Sequence, residues 1–271
     1  MGSFAYADDI VLLSPTTWSL NQMLNVCSDY SSEYNIIFNA SKTRLVVYGT
    51  KQRKVNITFE NQQIKQVDYE KHVGTLMGAR KDLDKIIIKN ACNEMYSKFN
   101  LLLRQFGRCS PPIIYKLFNT FCMSLYGCQL WDYSKPSIED ICISWRKCVR
   151  KIYNIPYNTH CRFLHLICND TSIKVKLHRR FLKFFIGVSN HTNPNIRFLS
   201  KLASHGSLSK TSSNLNIVCS LYKIDKTNVN MSTLCKIQDI DNEDDVIISN
   251  MIACFMENKD TYGIAHELCT S

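Results

Sequence analysis

A chain of 271 residues with 45% apolar content can bury a substantial core, which excludes disorder throughout. Its 33 Lys and Arg against 23 Asp and Glu leave a net charge of +10, the balance of a protein that meets polyanions, nucleic acid ahead of anionic membrane. Thirteen cysteines, an odd number in a large chain with no leader-like run before Asp8 and no Cys-x-x-Cys, argue against a disulfide framework or a zinc ribbon and for a reducing, intracellular setting, cytoplasm or nucleus.

The first eighty residues read as mixed structure. Residues 4–6 and 9–13 are strand formers joined by a tight turn at Ala7 and Asp8, and Pro15 stops the second strand. Leu20, Met23, Leu24, Cys27, Tyr30 and Tyr34 then recur at spacings of three and four, which predicts a helix capped by Thr16 or Thr17 with its apolar face on the sheet. Residues 36–38, 45–48, 55–59, 64–67 and 72–78 read as further short strands between polar or glycine-containing turns.

From Asp82 the apolar period becomes helical. One stripe runs Ile88, Cys92, Met95, Phe99, Leu102, Phe106 and ends near Gly107; a second helix starts at Ser110-Pro111-Pro112 with Ile114, Leu117, Phe118, Phe121 and Leu125 inward. The apolar stretch 113–131 is interrupted by Lys116, Asn119, Thr120 and Ser124, so it reads as a buried helix and not a membrane span. Ser137, with Asp140 three residues on, opens a helix whose inner face is Ile138, Ile141, Cys142, Trp145, Cys148, Val149 and Ile152, closed by Pro156. A short helix over 161–168 and a longer one from Thr171 to about Val188 follow. His160, Cys161, His165, Cys168 and His178 cluster in this stretch, but without paired ligand spacings they read as packing residues. After Ser204 the sequence turns to Ser, Asn and Lys and periodicity fades; residues 239–245 form an acidic run and 246–256 a weak helix. The fold class is α+β, organised as a strand-rich part over 1–80, a helical part over 81–190 and a weakly defined region over 191–271.

Two adjacent carboxylates, Asp8 and Asp9, at a hairpin turn repel one another unless a cation sits between or beside them. A hard divalent ion such as Mg²⁺ suits such oxygens. The alternative is a turn in solvent, where Asp is well tolerated.

"FAYADDIVLLS" over 4–14 resembles the Tyr-x-Asp-Asp hairpin of reverse transcriptases of LINE-type (non-LTR) retrotransposons. "NIIFNASKTRLVVYG" over 35–49 is similar to the next motif of that family, an Asn followed by a Lys-Thr pair leading into a strand, and "YEKHVGTLMG" over 69–78 resembles the primer-grip segment, with His72 and Val73 in place of Tyr and Leu. "SLYGCQLW" over 124–131 and "SWRKCVRKIYNIP" over 144–156 are similar to the thumb and the region after it. The likeness covers residues 3 to about 190 and is most specific in its first fifty.

It implies a partial palm of short antiparallel strands plus one helix, followed by a mostly helical thumb and post-thumb region, with an RNA template and a DNA primer as partners and Mg²⁺ as cofactor. In this family Asp8, with Asp9 in a lesser role, corresponds to ligands of two metal ions that lie about 3.5–4 Å apart and stabilise the attacking and leaving oxygens of phosphoryl transfer. Tyr6 and Gly74 correspond to positions beside the primer end, and Lys42 to a lysine able to protonate the leaving pyrophosphate. Lys42 reads equally as a surface lysine, and Gly74 and Gly78 equally as turn residues. The family's fingers and first palm half, with a further metal-binding Asp, would precede this hairpin, so the expectation is a polymerase piece that is inactive unless the other half is supplied.

Between Lys135 and Lys183 eleven Lys and Arg face three carboxylates. Arg146, Lys147, Arg150 and Lys151 lie off the apolar stripe of one helix, and Lys176, Arg179, Arg180 and Lys183 repeat the pattern on another. Such faces track phosphates without reading bases, or stay merely solvated. Three readings follow: a polymerase fragment, a nucleic-acid-binding relic without catalysis, and a helical protein-interaction module.

Overall fold

The computed structural model describes residues 2–49, 54–206 and 209–237. The acidic run at 239–245 and the helix expected over 246–256 lie outside the described residues. The architecture is mixed α and β, mostly helix with a few short strands, and it divides into two compact units between Leu83 and Asp84.

In the first unit β1 (Gly2–Tyr6) and β2 (Asp9–Leu13) pair antiparallel with Phe4 opposite Val11 and Tyr6 opposite Asp9. After Pro15, the Thr16 side chain accepts from the Ser19 N–H at 3.1 Å and starts α1 (Thr17–Tyr34), which stops where Asn35 turns left-handed at φ 53°. The remaining strands are two to four residues long: β3 (Arg44–Leu45), β4 (Thr58–Phe59), β5 (Gln62–Gln63), β6 (Lys65–Gln66), β7 (Tyr69–His72) and β8 (Thr75–Gly78). They form separate two-stranded ladders, β3 with β6, β4 with β5 and β7 with β8.

Three local expectations are corrected here. Residues 36–38 are irregular and not a strand, because the left-handed Asn35 and the Asn39 turn, whose Oδ1 accepts from the Lys42 N–H at 3.1 Å, bend the chain on both sides. The strands are not all antiparallel: β3 and β6 run parallel, the antiparallel β4–β5 hairpin lying between them along the chain. The inner face of α1 is also narrower than its period suggests. Leu24 is buried with Ala40, Ile57, Phe59 and Ile64, with Leu20 and Cys27 packed beside them, whereas Tyr30 and Tyr34 stack on each other in the open.

The second unit is helical: α2 (Leu83–Phe106), α3 (Pro111–Phe121), α4 (Ile138–Tyr153), α5 (Leu164–Ile167), α6 (Ile173–Ser189), α7 (Pro194–Ser204), α8 (Lys210–Leu221) and α9 (Met231–Lys236). Every inner residue expected on α4 is buried. Its core joins Ile88, Met95 and Phe99 of α2 to Phe118 of α3 and to Ile141, Trp145 and Val149 of α4, with Phe99 and Phe118 edge to face at 5.4 Å. Phe106 and Phe121, expected inward, are exposed at helix ends, and Leu125 is buried beyond the end of α3. A second cluster packs Phe181, Leu182 and Phe185 of α6 on Leu215, Val218 and Cys219 of α8, so the described chain beyond residue 191 is packed and helical. Polar ties hold these layers. Asn214 of α8 donates to the Trp131 carbonyl at 2.7 Å and accepts from the Tyr133 N–H at 2.9 Å, and the Tyr133 hydroxyl bridges the Cys128 and Leu177 carbonyls. No described helix is long and apolar enough to cross a membrane.

Candidate nucleic-acid interface

The β1–β2 hairpin sets Asp8 and Asp9 at its tip. Tyr6 and Asp9 are the last cross-strand pair, and Ala7, at φ 53°, takes a left-handed conformation that costs an alanine about 1 kcal/mol. Tyr6, Asp8 and Asp9 are all exposed, and neither carboxylate makes an ion pair with a described residue. Phe4, Ile10 and Leu13 on the same hairpin are exposed as well, so its apolar side chains are only thinly covered.

Two carboxylates on a short turn are a partial donor set for hard cations, which take six or more oxygens each. Among the described residues no group of three or more His, Cys, Asp or Glu could hold a metal ion. The residues present therefore do not fit a complete two-metal centre; a further carboxylate would have to come from elsewhere.

Lys42 is exposed on the turn before β3, its backbone N–H held by Asn39 and its side chain paired with neither Asp8 nor Asp9. Gly74, at φ 79°, follows Val73, at φ 45°, in the two-residue turn of the β7–β8 hairpin, so the left-handed turn accounts for the glycine. Gly78 is required by close packing, since a Cβ there would lie 2.4 Å from the Asp68 carbonyl oxygen. Tyr6, Asp8 and Asp9 share one hairpin tip, whereas Lys42 and Gly74 sit on ladders separate from it.

The basic residues divide by environment. Arg146 pairs with Glu139 at 2.6 Å, a carboxylate that also meets Lys174 at 3.0 Å. Arg150 donates to the Thr159 carbonyl at 2.7 Å and lies over the Tyr157 ring. Lys176 bonds to Asp170, which also accepts from the Tyr115 hydroxyl and the Asn119 amide, both at 2.9 Å. Burial pushes the Asp170 carboxyl up, but the Lys176 ammonium and these hydrogen bonds more than offset it, and its pKa lies below the usual carboxylate value. These three cations have internal work. Lys147, Lys151, Arg180 and Lys183 are exposed, and Arg179 is half-buried.

Sequence reasoning missed the loop that Arg180 clamps. Its Nη2 donates to the Met123 carbonyl at 2.8 Å and its Nη1 to the Ser124 carbonyl at 2.7 Å, and a shallow groove opens beside them. The signal was present as Arg180 and Lys183 on one face of α6, but their proximity to residues 124–129 is a tertiary fact. A second, larger groove in the first unit is lined by neutral amides, Asn21, Asn25, Asn56 and Gln63.

Comparisons of the chain with protein-family profiles, with curated proteins and with solved structures find no match.

Proposed function

We propose that this chain is part of a LINE-type reverse transcriptase, with the β1–β2 hairpin contributing Asp8 and Asp9 to a Mg²⁺ site and the helical unit contacting the template–primer duplex. The observation that carries the reading is the hairpin itself: adjacent carboxylates raised on an exposed tip, beside Phe4, Ile10 and Leu13, which a larger palm sheet would cover. The cations left exposed on α4 and α6 support a duplex-tracking role for the second unit.

With only two carboxylates at the tip, the chain by itself binds nucleic acid and does not extend a primer. The test is primer extension on an RNA template with Mg²⁺ and deoxynucleotides, run beside salt-dependent binding of the same template–primer. Binding that weakens steeply with salt, without extension, is the expected result. Extension by the chain alone that Asp8→Ala abolishes overturns the non-catalytic part; absence of any salt-sensitive binding overturns the whole. A binding module without polymerase ancestry is the second reading, favoured by the same exposed cations and separated from the first by whether added palm sequence restores Asp8-dependent extension.

A further inference from the structure

We propose that the groove between the 122–129 loop and α6 is a subsite for one nucleotide of a single strand, with Tyr126 stacking on the base and Lys183 and Arg180 facing the phosphate. This rests on the nucleic-acid reading above and adds to it a place and a strand type. The groove measures about 330 Å³, and its lining includes Tyr126, Gln129, Arg180, Lys183 and Phe184 but no carboxylate.

The loop is held in shape before any ligand arrives. Leu125 and Gly127 are both left-handed, at φ 41° and 75°, on either side of Tyr126, and the Leu125 side chain is buried below. A left-handed leucine costs on the order of 1 kcal/mol and persists only where its surroundings impose it. Here the Arg180 fork on Met123 and Ser124 imposes it, and Lys98 adds a contact to the Ser124 hydroxyl at 3.4 Å. The bend turns Tyr126 outward, 66% exposed, on a backbone that loses little entropy when a ring stacks on it.

The charge is available too. Arg180 spends its donors on neutral carbonyls, so its positive charge is not cancelled by an ion pair, and Lys183 lies exposed three residues on, at the same groove. Gln129 offers an amide to a base edge and Phe184 a half-buried apolar wall. An aromatic face, cations and an amide within one groove match an unstacked nucleotide better than a duplex, whose bases present no free face.

The test is fluorescence anisotropy of labelled oligo(dT) and of a duplex of equal length, with the full chain and with Tyr126→Ala, Tyr126→Phe and Lys183→Gln, each checked for an unchanged helical melting curve. Tyr126→Ala is expected to weaken single-strand binding about tenfold and leave duplex binding within about twofold, with Tyr126→Phe retaining the affinity. Lys183→Gln is expected to lower the salt slope by about one. If the wild-type chain binds oligo(dT) and neither substitution changes it, the groove is wrong and the nucleic-acid reading stands; if the wild-type chain binds no nucleic acid, both fall. Displacement of the oligonucleotide by free dTMP at equal nucleotide concentration, or by poly-glutamate at equal charge, overturns the assignment to a strand.

Discussion

Phe118 on α3 and Phe4 on β1 are the same side chain in opposite circumstances: the first is 0% exposed between Phe99 and Tyr115, the second 59% exposed on a two-stranded ribbon. The contrast extends through both units. In the helical unit each long helix finds an apolar neighbour, and the buried Asn214 amide is bonded to the Trp131 carbonyl and the Tyr133 N–H. In the strand-rich unit the buried set is Leu24, Ala40, Ile57, Phe59 and Ile64, while Trp18, Val26 and Tyr48 lie exposed and Ile37 reaches 92% exposure. Two-stranded ribbons are marginal in water, whereas helices joined through a common core support one another. One region closes around a shared apolar core; the other leaves much of its apolar surface exposed.

Phe118→Ala is the most direct way to break that comparison. Removing a fully buried ring is expected to cost the helical unit about 3–5 kcal/mol, read as a lower urea midpoint by circular dichroism. Hydrogen exchange at residues 57–64 should change little. If those amides lose protection in step, the first unit has no stability of its own and the contrast between the two is one of degree only.

The legibility of the sequence follows the same divide. On α4 the apolar residues recur every three or four positions between a polar start and Pro156, and all of the expected inner positions are buried. α8 was not legible: its buried face is Ser212, Asn214, Leu215, Val218 and Cys219, so the apolar period is interrupted by polar residues whose partners sit more than eighty residues away in the case of Asn214. α7 had a readable start in Asn193-Pro194, where Asn193 Oδ1 accepts from the Asn195 N–H at 2.9 Å, but its buried positions are Ser200 and Ala203 while Phe198, Leu199 and Leu202 are exposed, so the face turned inward is not the one its large apolar side chains mark. At the hairpin tip the residue types and the turn were readable from spacing alone, because strand propensity and turn chemistry are local. Whether other carboxylates meet them is not a local matter. The same holds for the basic faces, where charge was legible but the partners Glu139, Asp170 and the Thr159 carbonyl were not.

Acid provides a second way to separate the units. His178 on α6 is buried, its Nδ1 3.0 Å from the Tyr222 hydroxyl and its ring against Tyr133, and burial, with help from the Lys174 charge, pushes its pKa down to about 4. The unfolded chain binds a proton near pH 6.5 that the folded chain refuses until about pH 4, so stability present above pH 6.5 is lost as pH falls through that window. The loss amounts to at most about 3 kcal/mol. Asp170 and Glu139, both held below their ordinary values, add their own loss only at lower pH. Denaturation midpoints of the helical unit between pH 7 and pH 4.5 should therefore slope downward, and His178→Gln should flatten the slope even if it lowers the midpoint throughout. A slope unchanged in that variant would place the titrating group elsewhere.

The smallest effect sharpens the comparison from the weaker side. Val73 occupies the first central position of the β7–β8 turn at φ 45°, where a β-branched residue is disfavoured, and Gly74 follows at φ 79°. Val73→Asn places Asn-Gly, the sequence such a turn prefers, in an otherwise unchanged ladder with His72 opposite Thr75. The gain should be about 1 kcal/mol in local opening, read as slower exchange of the amides in residues 69–78, with no change in the helical melting curve. A loss of protection would mean that Val73 makes an apolar contact worth more than the turn strain. A gain accompanied by weaker template–primer binding would mean that the strained turn is kept for its shape, since strain at a contact site persists only where selection on binding outweighs selection on stability.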